Sequence, residues 1–171
     1  GTGGQGGGQA AKDPGPGKPP PPAGVQIKKD DGYDDEDVRI AGIVGDYRFG
    51  SVSAKLSNDG IVVPSHPETS FDEQEFLTLL RGSISLTKDE KWRIIQAIPK
   101  LSQFQIDELF KILQEEKKKF AELSPKHLLQ LMKLEQKHAE DWKDLQSLTA
   151  QQGKKQEEQQ KMEAIRKQMG L

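Results

Sequence analysis

Residues 86–113 read LTKDEKWRIIQAIPKLSQFQIDELFKIL, and this stretch decides the fold class. Thr87 with Glu90 forms a reciprocal capping box, which predicts a helix over Lys88–Ile98 that Pro99 stops. Ser102 with Gln105 forms a second box and opens a longer helix, from Gln103 to about Glu122. Apolar residues recur at the three-and-four spacing of one helical face. On the first helix they are Ile94, Ile95 and Ile98, with Trp92 on the flank. On the second they are Ile106, Leu109, Phe110 and Leu113, with Phe120 further along. Leu86 and Leu101 each precede a cap, and Ile106 stands where a hydrophobic staple needs it.

The same signals extend outward. Ser70 with Glu73 predicts a helix over Phe71–Arg81, ended by Gly82. Leu123, Ser124 and Pro125 open a fourth helix running to about Leu148. Its stripe is Leu128, Leu131, Met132, Ala139, Trp142, Leu145 and Leu148. Very short turns between such helices make them fold back on one another. The expectation is a mainly α chain, with a compact bundle of about four helices over 70–150. After Thr149 the composition turns to Gln, Lys and Glu, and Gln151-Gln152-Gly153 predicts a break. Residues 151–171 then form a marginal helix with a thin seam of Met162, Ile165 and Met169, ordering against a partner or another copy.

Upstream, residues 1–37 read as a disordered Gly/Pro-rich and acidic linker. Pro19 to Pro22 favour polyproline II, a linker form that is also a ligand for proline-recognising grooves. The acidic run Asp30, Asp31, Asp34, Asp35, Glu36 and Asp37 fails the calcium-loop pattern, because Ala41 or Gly42 falls where the bidentate Glu belongs. Residues 38–69 combine β-type runs with turn residues at Ser57–Gly60. They predict a small β-meander, or else an extended segment lying over the helices.

The chemistry-bearing residues point away from catalysis. There is no cysteine, and no nucleophile elbow, phosphate loop or dinucleotide fingerprint on a strand. His138 has Glu135 and Asp141 three residues to either side, a spacing that metals use, but local charge pairing on a polar flank is the better reading. No cofactor and no metal is expected. Net charge is −2 with both signs interspersed, which argues against nucleic acid, whose binders neutralise phosphates with a basic face. No apolar run is long enough to span a bilayer. No signal segment is visible, and the cytoplasm is the favoured compartment. Residues 86–113 resemble short helical segments of small bacterial proteins.

The resulting expectation is a non-catalytic protein–protein interaction or scaffold subunit, acting through its bundle and C-terminal helix. Trp142, Leu145, Leu148, Met162, Ile165 and Met169 are the candidate contacts, with a protein partner or a second copy as occupant. Two other readings stand beside it. One is a tethered accessory domain of a membrane or surface complex, with 1–37 as spacer to an anchor outside this chain. The other is a weak nucleic-acid-associated helical protein, which needs Lys117–Lys119, Lys126, Lys133 and Lys137 on one face.

Overall fold

The computed structural model describes residues 17–171; the glycine-rich opening lies outside the described residues. Five α-helices follow one another: α1 Asp35–Val44, α2 Glu73–Gly82, α3 Lys88–Ala97, α4 Gln103–Ala121 and α5 Leu128–Gln168. Single 3₁₀ turns at Ile98–Lys100 and Pro125–His127 make the tight connections into α4 and α5.

The two capping boxes form as read, Thr87 with Glu90 and Ser102 with Gln105. The start of α2 lies two residues later than predicted. Asp72 is its cap and accepts from Glu75 N at 3.0 Å. Ser70 instead donates its N–H to Gln103 Oε1 at 2.8 Å. Phe71 explains the shift, since its ring stacks on His66 and meets Phe76 and Phe110 edge-on, holding the chain extended until Asp72. Ser124 likewise makes no side-chain cap, and the chain passes through a Pro125 turn before α5 begins.

No strand occurs among the described residues, so the β-meander expected over 38–69 is corrected. Its first part is helix α1, and the acidic stretch read as linker is that helix's start. Asp34 Oδ1 accepts from Asp37 N at 2.7 Å, and Asp37 Oδ2 accepts from Asp34 N at 3.1 Å. Carboxylates in the first turn also complement the helix dipole. The buried residues Asp37, Ile40 and Val44 follow helical spacing, which outweighs the β-branched composition. Residues 45–69 match the other expectation, an extended segment over the helices, with one 3₁₀ turn at Ser53–Lys55.

The described part of the leader also packs. Ile27 and Tyr33 are buried. Tyr33 donates its hydroxyl to Pro19 O at 2.7 Å, and Lys18 Nζ sits 4.7 Å above the Tyr33 ring. Arg48 Nε donates to Pro21 O at 2.7 Å. Within the described part of the expected linker over 1–37, Tyr33 thus holds Pro19 locally, and Arg48 ties Pro21 to the chain that follows α1.

Two apolar clusters fill the interior. One joins Phe76, Leu77, Leu80, Ile95, Ile98, Ile106, Leu113, Trp142 and Leu145. The other joins Ile40, Val44, Tyr47, Ile84, Leu128 and Leu131. Helix α5 contributes to both, and it runs unbroken through Gln151-Gln152-Gly153 for 41 residues. The expected break is corrected: one helical glycine costs only about 1 kcal/mol, and the flanking Gln and Lys residues favour helix.

Trp142 is fully buried in the larger cluster, and its Nε1 donates to Ser57 O at 2.9 Å. Trp142→Ala should therefore cost about 3–5 kcal/mol, read by urea unfolding. A loss under about 1 kcal/mol would contradict this packing.

Candidate interaction surface

The long helix changes character along its length. From Leu128 to Thr149 its buried residues are Leu128, Leu131, Glu135, His138, Ala139, Trp142, Leu145 and Thr149. They share one side, as steps of three and four require. Beyond Thr149 the same side carries Gln152, Gly153, Gln156 and Gln160, and every residue from 154 to 171 is exposed. At about 100° per residue, Met162, Ile165 and Met169 fall on the opposite side of the helix. Their exposures are 56%, 54% and 67%. The apolar seam of the tail does not continue the core stripe; it faces away from it.

Of the predicted contact residues, Trp142 and Leu145 are core and unavailable to a partner, at 0% and 2% exposure. Leu148, Met162, Ile165 and Met169 are open to solvent. The sequence reading missed the surroundings of Trp92. A groove of about 310 Å³ runs between α3 and α5, lined by Lys88, Asp89, Trp92, Asp144, Leu148 and Gln151. On the other flank of Trp92, Val62 and Pro64 overhang Thr149, Gln152 and Gln156 in a wider groove of about 470 Å³. The indole half-buries itself between the two, where α5 leaves the body. The residue was visible as an aromatic flank on α3, but its neighbours come from three separate segments.

Polar residues inside the bundle hold it together. Glu135 is 1% exposed. Its carboxylate accepts from the Tyr47 hydroxyl, from Gly50 N at 2.9 Å and from Ser53 N at 2.7 Å. Burial and this carboxylate push the Tyr47 phenol far above its ordinary range. Glu116 does a similar service for the α2–α3 turn, accepting from Ser83 Oγ, Ile84 N and Ser85 Oγ. Lys91, fully buried, donates to His138 Nδ1 at 3.2 Å and to Arg81 O at 3.4 Å. Glu135 and His138 therefore serve different neighbours and converge on no common point. Among the described residues no group of three His, Asp or Glu side chains could hold a metal ion. His66 bonds Glu73 and Thr69 beside Phe71, which raises its pKa chiefly through the Glu73 bond.

The lysines that a nucleic-acid reading requires are partly occupied. Lys126 pairs with Asp34 at 2.8 Å and Lys137 with Asp141 at 3.5 Å. No described helix is long and apolar enough to cross a membrane. Comparison with known proteins adds no relative: no family model, curated protein or solved structure matches the chain.

Burial, and then the Lys91 ammonium, hold His138 below its ordinary pKa, while Lys91 itself is lowered by burial to about 8. The unfolded chain thus binds the His138 proton at a pH where the folded chain has released it. Stability contributed by neutral His138 is present above about pH 6.5 and lost as pH falls through the lower folded value. His66, raised by Glu73, acts in the opposite direction. Urea midpoints at pH 7.5 and 5.5 separate the two: His138→Gln should lose less stability on acidification than the parent chain. An unchanged or larger loss would contradict the assignment.

Proposed function

We propose that this chain is a non-catalytic protein-interaction subunit, in which the helical body anchors one end of a docking rod formed by the second half of α5. The observation that supports this reading most directly is the seam of Met162, Ile165 and Met169, exposed along an unbroken helix. An isolated helix of this length is marginal in water, and its usual source of stability is a packed apolar face. Here the seam faces away from the body, so the described residues offer it nothing to pack on. The groove between α3 and α5 beside Trp92, with Leu148 in its wall, lies at the root of the same rod and extends the apolar surface a partner can cover.

No constellation of nucleophile, base and oxyanion donor accompanies this surface. The buried Glu135, Lys91 and His138 are occupied by the bundle's own backbone and side chains. The rod is polar around most of its circumference, with Lys154, Lys155, Glu157, Glu158, Lys161, Glu163, Arg166 and Lys167 all exposed. Such a surface suits reversible association, with the apolar line supplying affinity and the charges setting register.

A photo-crosslinking residue placed at Ile165 in the producing cell tests this, with the same substitution at Ile112 as control. Ile112 is an exposed isoleucine on α4 of matching accessibility, 54% for each. Protein adducts at 165 well above those at 112 are expected. Equal yields at the two positions, or none at 165, would overturn the docking role.

A further inference from the structure

The seam on the rod has a seven-residue period when it is followed back to the body. Leu148, Lys155, Met162 and Met169 are seven apart, and Gln151, Glu158 and Ile165 interleave them at the second position of the same repeat. This is the spacing of a two-stranded coiled coil, in which these two sets face the partner. The seam is apolar at its root, polar in its middle and apolar at its tip. All seven residues are exposed.

We infer that the partner of this rod is a second copy of the same chain, lying antiparallel, with each tip seated in the other copy's groove beside Trp92. The inference rests on the docking reading of the tail. Charge decides the orientation. A parallel, in-register pair stacks equivalent positions, which sets Lys155 on Lys155 and Glu158 on Glu158 in successive layers. Like charges facing each other in the seam are destabilising. An antiparallel pair opposes the first position of the repeat to the second. With the two-fold axis between Gln156 and Glu157, Lys155 of each copy lies opposite Glu158 of the other. The two repulsive layers become two attractive ones.

The same register settles the rest of the seam. Leu148 falls opposite Ile165, Gln151 opposite Met162, and Met169 opposite Asp144. The apolar tip thus reaches the groove lined by Trp92, Leu148, Asp144 and Asp89. Around that tip are Arg166 and Lys167, and lining the groove are Asp89, Asp144 and Lys88, with Lys88 and Asp144 paired at 3.5 Å and Asp89 left to meet the incoming cations. Lys154 comes near Lys161 of the other copy, but both lie at the rim, where water and salt screen them. From Asp144 to Met169 the paired helix extends about 38 Å. An isologous contact of this kind satisfies tip and root of both chains at once.

Parallel pairing also forces the two bodies together, because both rods leave their bundles at the same end. Antiparallel pairing sets the bodies at opposite ends of the shared rod. Each body then covers the other's tip, and the groove at Trp92 is filled without a conformational change in either bundle.

A charge-swap series on the full chain tests the pairing, using sedimentation or light scattering over a dilution series. Lys155 and Glu158 are solvent-exposed, so their exchange leaves the bundle intact, which circular dichroism verifies. The parent chain should have the mass of a dimer. Lys155→Glu alone and Glu158→Lys alone should each weaken the dimer by about tenfold or more, and the double swap should restore it. In a parallel pair the single swaps merely replace one like-charged layer by another, so unchanged affinity in both single variants overturns the antiparallel register. A parent chain that stays monomeric at hundreds of micromolar overturns the second copy as partner. Adducts of Ile165 to a different protein in such a monomeric chain would leave the docking role standing, so the two failures are distinguishable.

Discussion

The first half of α5 supplies fully buried side chains to both apolar clusters. Leu128 and Leu131 close the cluster built on α1, while Trp142 and Leu145 close the cluster built on α2, α3 and α4. Between them the helix buries Glu135, whose carboxylate gathers the Tyr47 hydroxyl and the N–H groups of Gly50 and Ser53. Those N–H groups belong to a segment with little secondary structure of its own, and a buried N–H without an acceptor is costly. The carboxylate thus fixes the chain that connects α1 to α2, and α1 is held in turn where Asp37 accepts from Lys126 N at 3.1 Å. Loss of this helix separates the halves of the core. The same helix cannot stop at the body's edge without a breaking signal, and Gly153 alone is too weak to provide one.

What was legible in the sequence was local. The boxes at Thr87/Glu90 and Ser102/Gln105 are closed within four residues, and both form in the fold. Ser70 was a plausible cap by the same rule, yet Asp72 won because Phe71 is drawn into an aromatic cluster from α2 and α4. Helix α1 is hard to see in the sequence for two reasons. Its β-branched composition favours strand while its period favours helix, and its acidic first turn resembles a solvated linker. The spacing of Asp37, Ile40 and Val44 already contained the correction.

The candidate surface was legible only in part. Trp142 and Leu145 read as contacts in the sequence because core stripes and interface stripes use the same residues at the same spacing. Only a packed neighbour tells them apart, and here it is Ser57 with the α2–α4 core. Met162, Ile165 and Met169 stand out as large apolar residues at helical spacing in a polar tail. Their turn to the far side of α5 needed a continuous helix, which the expected break at Gly153 had hidden. Glu135 and Lys91 gave no sign at all, since a buried charge reads as an ordinary polar flank until its partners arrive from distant segments.

Helix α5 is one helix whose character changes at Thr149: buried against the body before it, and after it exposed and here proposed as a docking rod. Amide hydrogen exchange along α5, measured on the full chain at several concentrations, tests this most directly. Amides of 131–149 should exchange only with global unfolding, at the same rate at every dilution. Amides of 152–168 should exchange fast in the dilute chain and become protected as association rises. Strong protection of both stretches at every dilution would contradict the account, because it would make the rod a part of the body.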